Sequence, residues 1–191
     1  MTWNEYLPLA EKTLSLQFNC EEDFYQKILH AIIGCLTEVE EILNNYDEDK
    51  LVGSVDKQSG LGEEAADIYW YLSILFRELK IGNHNYSLSN EFNLKTPFNT
   101  LLTFTKLSLQ FLDLLKKKIY YNKPINNDIM VDLAIKMQSI LNYYCYQYNI
   151  DVDAILDKNI DKLRARYSDK FSSERAINRD LETERTILEG K

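Results

Sequence analysis

The chain has 191 residues, of which 45% are hydrophobic and 27% charged, as expected of a globular protein with a buried core. Its net charge of −8 argues against general binding to nucleic acids or anionic membrane surfaces, because phosphate groups would repel it. The three cysteines are odd in number and widely spaced, which argues against a disulfide framework. No leader peptide or membrane-spanning apolar run is visible. We therefore expect a cytoplasmic protein.

The pattern of apolar residues predicts an all-α fold. Glycine and proline are few, and apolar residues recur at helical rather than alternating spacing, which is typical of a helical bundle. We expect a short first helix that runs to about Phe18, with Pro8 in its first turn. A polar loop is predicted from Tyr46 to Gly62, and Gly82 is predicted to cap the helix that follows it. The strong helices are predicted at about 22–45, 63–81, 98–121 and 127–149.

These elements predict one all-α domain over 1–191. It would contain a first hairpin (22–82), a second hairpin (97–150) and a charged helical tail (151–191), interrupted near 167–171. An offset of 72 residues places Glu38 on Gln110 and Glu41 on Asp113, so the second hairpin could be a degenerate copy of the first. The identity is weak, and true duplication and chance similarity remain equally open.

Four carboxylates in the first hairpin have the spacing of a shared site. Glu38 and Glu41 are three residues apart on one predicted helix, and Glu64 and Asp67 repeat this spacing on the next. Asp67 leads into a stretch, 68–76, that is apolar on almost every side. A carboxylate drawn into such an environment costs free energy unless a cation offsets it.

Two kinds of cation could offset these carboxylates. One is an Arg or Lys side chain; the other is a hard divalent ion such as Mg²⁺, which prefers carboxylate oxygens. The residues alone leave ion pairing and metal binding equally open. Acid pairs at this spacing also arise by chance in a chain with 30 acidic residues, and we expect Glu40, Glu48 and Glu63 to be solvated surface charges.

Other chemistries fit the sequence less well. A di-iron bundle needs Glu three residues before a ligating His, and neither His30 nor His84 has one. Two histidines and dispersed cysteines do not suggest zinc, and Cys35 lies on the apolar stripe of its helix. The chain also lacks a phosphate-binding glycine loop.

The acidic motif resembles that of a known superfamily. Glu38-x-x-Glu41, a spacer of 22 residues, and Glu64-x-x-Asp67 running into an aromatic apolar helix are similar to the motif of the MazG-like, all-α NTP pyrophosphohydrolases, relatives of the dimeric dUTPases. Thr37 stands where the family often has a further Glu. The tail segments 159–167, Phe171 and 176–180 resemble the closing segment of phage and bacterial members.

This resemblance implies Mg²⁺-dependent hydrolysis of a nucleoside triphosphate to the monophosphate and pyrophosphate, with Mn²⁺ as an alternative ion. The metal ligands would be Glu38, Glu41, Glu64 and Asp67, with Glu41 or Glu38 as the catalytic base. The resemblance also implies contacts to the substrate phosphates from Asn159, Lys162 and Arg166. These three lie on one side of a predicted helix, and from the residues alone that side is either a phosphate contact or a solvated face. Trp70, Tyr71 and the loop that contains Asn83 are candidates for contact with the base, and core or plain loop positions explain them equally well.

The expected partner is a nucleoside triphosphate, without a nucleic-acid polymer or a membrane. Small family members are dimers, so the resemblance implies either a homodimer or a pseudo-dimeric monomer in which the second hairpin replaces the partner. Two alternatives remain. The chain could be a non-catalytic helical module that senses a nucleotide or binds a partner, or a dUTPase-like enzyme specific for one nucleotide.

Overall fold

The computed structural model describes residues 1–44 except 14 and 16, residues 55–82, residue 92, residues 94–167, and residues 174, 178, 180, 183, 184, 186 and 187. The side chains of residues 5 and 55–59 are not described. All regular secondary structure in these ranges is helical, which confirms the predicted all-α class. The helices are α1 (Trp3–Glu11), α2 (Asp23–Asn44), α3 (Val55–Glu78), α4 (Pro97–Tyr121), α5 (Asn127–Gln147) and α6 (Val152–Tyr167).

The helices pack as two hairpins laid against each other, with α6 on the outside of the first. Helix α2 packs on α3 and α4 on α5, while α2 also contacts α4 and α3 contacts α5. Helix α6 contacts α3. The predicted apolar stripe of α2 faces the core, and its members Ile28, Ile32 and Ile42 are fully buried. Tyr69 of α3 donates a hydrogen bond to Asn142 of α5, which ties the two hairpins together beside the core.

Helix boundaries were predicted well for α2, α4 and α5 and wrongly for α1. Helix α4 begins with Pro97 at its first turn after the N-cap Thr96, whose hydroxyl accepts a hydrogen bond from the Asn99 amide. Helix α1 ends at Glu11 rather than near Phe18, because the amide and hydroxyl of Thr13 both donate to the Ala10 carbonyl and close the last turn. Pro8 lies inside α1, beyond its first turn.

Both ends of α3 also differ from the prediction. The predicted loop extends to Gly62, but α3 begins at Val55 and includes Gly60 and Gly62. Gly62 is buried beneath α6, and a Cβ there would lie 3.2 Å from Ile155 Cγ2, so glycine allows α6 to approach closely. At the other end, Lys80 rather than Gly82 adopts the left-handed conformation (φ 56°). The amide of Ile81 then donates to the Phe76 carbonyl and closes the helix.

Two expectations from composition can be compared with the structure. Cys20, Cys35 and Cys145 are all buried, and no disulfide joins them in the structure. Within the described residues, no helix combines the length and the apolar character that crossing a bilayer would require.

A second glycine determines how α2 meets α3. Gly34 is buried on α2, and a Cβ at this position would lie 2.2 Å from the Tyr71 ring of α3. The aromatic ring therefore lies directly against the α2 backbone. No side chain larger than hydrogen fits between the ring and the helix. Glycine at position 34 therefore allows the ring of Tyr71 to lie against α2, beside the carboxylates of the same two helices.

We predict that Gly34→Ala lowers the free energy of unfolding by about 1–3 kcal/mol, because the new methyl group displaces the Tyr71 ring. Gly60→Ala is the matched control: a Cβ at Gly60 meets no atom within 4 Å, and alanine should raise helix stability by up to about 1 kcal/mol. Urea denaturation measures both changes. If Gly34→Ala is as stable as Gly60→Ala, the close contact with Tyr71 does not exist.

Candidate metal centre

Three carboxylates from two helices converge between α2 and α3. Glu38 and Glu41 lie one turn apart on α2, and Glu64 faces them from α3. One carboxylate oxygen from each of the three lies within 4.8 Å of the others. Glu38 and Glu64 are half-buried and Glu41 is exposed. The geometry thus brings together three of the four residues that the motif predicts as ligands.

The proximity of these carboxylates changes their protonation. Burial, followed by the nearby charges of Asp67 and Glu41, raises the pKa of Glu38 to about 7. Burial, followed by the charges of Glu41 and Glu63, raises the pKa of Glu64 to about 8. The two carboxyl groups lie close enough for one, when protonated, to donate a hydrogen bond to the other, which partly offsets the rise in the pKa of Glu38. Without a cation, the cluster therefore retains protons near neutral pH.

Asp67, the fourth predicted ligand, has different partners. Its two oxygens accept hydrogen bonds from Lys162 Nζ at 2.9 and 2.7 Å, and Oδ1 also accepts one from Asn159 Nδ2 at 2.5 Å. Lys162 is fully buried and Asn159 is 3% exposed. For Asp67, the ion-pairing alternative therefore holds in this structure, with a partner 95 residues away in sequence. The contacts occupy both lone pairs of Oδ1 and one of Oδ2.

The side of α6 that carries Asn159 and Lys162 faces α3. The alternative of a solvated helix face is wrong for these two residues, because both are buried against Asp67. Glu63 is also not the free surface charge that we expected, since its carboxylate accepts a hydrogen bond from Lys162 at 3.3 Å. Arg166, one turn further along α6, forms a two-pronged pair with Glu184 of the tail.

The carboxylates line a cavity of about 320 Å³ between α2, α3 and α6. This volume is at the lower end of the range for small-molecule sites, roughly 300–1,000 Å³. One wall is aromatic: His30 packs edge-on against Trp70 and Tyr71, with ring centroids 6.3 and 5.6 Å apart. The α6 side contributes Leu163, Arg166 and Tyr167. A ligand in this cavity would contact acidic, aromatic and cationic side chains together.

The second hairpin does not repeat this cluster. Asp113 is paired with Lys116 and Lys117, whose hydrogen bonds lower its pKa to about 2. Asp132 is paired with Lys136, and Gln110 is exposed. Within the described part of the second hairpin, no three acidic residues are close enough to hold a metal ion. This agrees with a degenerate second hairpin, although duplication itself stays a prediction.

The structure does not describe some of the residues named in the predictions, and it places at the site some residues that were not predicted. Asn83, Glu48 and Phe171 are among the residues that the structure does not describe. The sequence makes His30 a candidate only for iron or zinc ligation, yet it lies eleven residues before Glu41, which is three helical turns and the same side of α2. That spacing could have identified His30 as a residue of the site. No sequence signal known to us would have paired Glu184 with Arg166.

The donor set of the three-carboxylate cluster suits Mg²⁺. Carboxylate oxygens are the hard ligands that this ion prefers, and oxygens on one octahedral Mg²⁺ lie about 2.9–4.1 Å apart, given bonds of about 2.05 Å. The oxygens of Glu38, Glu41 and Glu64 already lie within 4.8 Å, so small side-chain rotations would close the site. Water and substrate oxygens would complete the coordination. Asp67 lines the same cavity and accepts three hydrogen bonds, which leaves one lone-pair site on Oδ2, so its role as a ligand stays a prediction.

The raised pKa values predict that stability without divalent ions falls with rising pH. The folded protein binds protons at Glu38 and Glu64 with pKa values of about 7 and 8, against an ordinary value of 4.5 for the unfolded chain. The contribution of these groups is therefore lost between pH 4.5 and 8. Thermal melts in EDTA should show a steeper decline for the wild type than for Glu64→Gln. Glu40→Gln, at an exposed position of α2, is the control. Parallel pH profiles for wild type and Glu64→Gln would contradict the assignment.

Asp67→Asn and Glu64→Gln should have opposite effects in the metal-free protein. We predict that Asp67→Asn lowers the free energy of unfolding by about 2–4 kcal/mol, because buried Lys162 loses its main charged partner. Glu64→Gln should leave stability unchanged or raise it at pH 8, since a repelled carboxylate is removed. Urea denaturation in EDTA measures both. If the two substitutions change the free energy of unfolding equally, the charge of Asp67 is no better neutralised by its partners than that of Glu64.

Comparisons with known proteins add no assignment to this site. No family model, no curated protein and no solved structure matches the chain. Its similarity to the MazG-like pyrophosphohydrolases therefore stays a prediction carried by the motif residues themselves. The chemistry available to the site follows from three convergent carboxylates, an aromatic wall and an arginine around one cavity.

Proposed function

We propose that the chain is a Mg²⁺-dependent nucleoside triphosphate pyrophosphohydrolase of the MazG-like type. The observation that carries this proposal is the convergence of Glu38, Glu41 and Glu64, from two helices, on the cavity that Arg166 and the aromatic residues also line. Three acidic side chains would repel a triphosphate on their own. With divalent cations bound, the same residues attract it, because the ions reverse the local charge.

The cavity offers a separate contact for each part of such a substrate. The aromatic wall of His30, Trp70 and Tyr71 suits a nucleobase, since flat rings can stack or meet edge to face. Arg166 lies at the α6 side and provides donors for phosphate oxygens. Lys162 is 1% exposed at its side chain and engages Asp67, so we assign it to holding α6 in place rather than to the phosphates.

The proposed reaction is attack of water on the α-phosphorus. The bond from the α-phosphorus to the oxygen that bridges it to the β-phosphorus breaks, and pyrophosphate leaves. When bound, Mg²⁺ would supply charge neutralisation and a more acidic water. Glu41 is the best placed of the three to take the water's proton on a carboxylate oxygen, because it is exposed. Glu38 and Glu64, half-buried on facing helices, would hold the ion together with the other carboxylate oxygen of Glu41.

One observation favours the alternative of a non-catalytic module. Lys162 and Arg166 already have carboxylate partners within the chain, as in a protein whose charged residues serve only its own structure. Such a module would bind a nucleotide or a partner through the same cavity without hydrolysing it. Turnover separates the two proposals.

We predict that the protein releases pyrophosphate and a nucleoside monophosphate from at least one member of a panel of unmodified and modified nucleoside triphosphates with Mg²⁺. EDTA should abolish the reaction. Glu38→Gln and Glu64→Gln should each lower the rate by at least about 100-fold, since each weakens an ion that acts on the transition state. Glu40→Gln should react normally, because its carboxylate lies outside the cavity.

Three results would contradict this proposal. No turnover across the panel would favour the module, and activity that survives in EDTA would exclude the metal. Diphosphate and phosphate as products would mean a different bond is cleaved. Turnover of dUTP alone would instead identify the dUTPase-like specificity. Product separation by anion-exchange chromatography distinguishes these outcomes.

A further inference from the structure

One edge of the Arg166 guanidinium donates hydrogen bonds to a carboxylate of the tail. Its Nε donates to Glu184 Oε1 at 2.7 Å, and its Nη2 donates to Glu184 Oε2 at 2.5 Å. The side chains are only 14% and 5% exposed. The pair raises the pKa of the arginine, mainly through these hydrogen bonds. Two parallel charge-assisted bonds fix the plane of the guanidinium as well as its position.

The pair lies at the wall of the cavity that contains the acidic cluster. Arg166 lines that cavity together with Leu163 and Tyr167 of α6. The Tyr167 ring lies 5.7 Å from the guanidinium carbon, so the arginine is confined by an aromatic ring as well as by a carboxylate. A long side chain that would otherwise sample many rotamers is thereby restricted to one place beside the proposed substrate.

We propose that Glu184 is a positioning residue, which orients Arg166 so that the guanidinium can bind a phosphate group of the ligand. This inference rests on the proposed function, because it requires an anionic ligand in the cavity. Glu184 itself does not touch the ligand. The inference extends the site to the tail of the chain, beyond the residues of α2, α3 and α6.

The geometry favours positioning over competition for the same donors. A guanidinium has five N–H donors, and Glu184 engages the edge formed by Nε and Nη2. Glu184 leaves Nη1 unused, so a phosphate that approaches this edge can bind while the carboxylate stays in place. If Glu184 instead competed with the ligand, its removal would strengthen binding. The sign of the change in affinity therefore decides between the two roles.

The test uses Glu184→Gln, which keeps the shape of the side chain and removes its charge. Affinity for inorganic pyrophosphate and for a nonhydrolysable α,β-methylene triphosphate analogue is measured by calorimetry with Mg²⁺ present. We expect both to bind at least about 10-fold more weakly, because misplacing a binding group by about 1 Å can cost more than that. Asp161→Asn is the matched control, since Asp161 pairs with Arg164 on the exposed side of the same helix. It should bind both ligands like the wild type.

A double-mutant cycle separates positioning from a merely structural role. If Glu184 acts through Arg166, Glu184→Gln should have no further effect on pyrophosphate affinity in an Arg166→Ala background. A structural role predicts equal effects in both backgrounds. Circular dichroism melts of each variant exclude global unfolding as the cause, and Glu184→Asp provides a milder variant if Glu184→Gln does not fold.

The outcomes distinguish this proposal from the proposed function. Unchanged or tighter binding by Glu184→Gln, or additive effects in the cycle, would overturn the positioning role even if the enzyme hydrolyses triphosphates. Weaker binding by Glu184→Gln, with no further effect in the Arg166→Ala background, would support the positioning role even if no triphosphate is hydrolysed. If the wild type binds neither pyrophosphate nor the triphosphate analogue, both the positioning role and the proposed function are overturned.

Discussion

A buried lysine needs a carboxylate, and the pairing of Lys162 with Asp67 is the interaction on which the arrangement of this site depends. Lys162 has no exposed surface, so its charge would be very costly without Asp67 and Glu63 within hydrogen-bonding reach. The pair fixes the register of α6 along α3. Gly62 favours this close approach, because a Cβ there would lie 3.2 Å from Ile155 Cγ2 of α6.

This pairing also determines what else surrounds the cavity. Once Lys162 lies on Asp67, the next residue, Leu163, and Arg166 one turn further along α6 reach the cavity wall. The carboxylates left without a cation of their own are those on the facing surfaces of α2 and α3. Their burial and mutual repulsion appear in the raised pKa values of Glu38 and Glu64. One acid is thus neutralised by the chain, and the remaining three form a site suited to an external cation.

Local patterns in the sequence were enough to predict the helical class, the boundaries of α2, α4 and α5, and the shared face of Glu38 and Glu41 on α2. Each depends on residues close in sequence, through helical periodicity, caps and i,i+3 spacing. The start of α3 could not be predicted in this way, because Gly60 and Gly62 have low helix propensity. The close packing of α6 on Gly62 is a tertiary contact that local propensity does not include.

Local patterns likewise could not predict the ion-pair partners of the charged residues. Asp67 finds its cation 95 residues away, and Arg166 finds its carboxylate in the tail. Spacing along one helix can say that two side chains share a face, but not which helix that face meets. For this reason the predicted four-carboxylate site becomes three convergent carboxylates and one ion pair in the structure. The side of α6 predicted to meet phosphate contains both a structural lysine and an arginine at the cavity.

The central claim is that Glu38, Glu41 and Glu64 together hold a divalent cation. Titration of the chain with Mn²⁺, followed by electron paramagnetic resonance, tests this directly because free and bound Mn²⁺ give different signals. We expect the wild type to bind Mn²⁺ and Glu64→Gln to lose most of that binding, while Asp113→Asn in the second hairpin binds like the wild type. Unchanged Mn²⁺ binding by Glu64→Gln, or loss of binding in Asp113→Asn, would contradict the account.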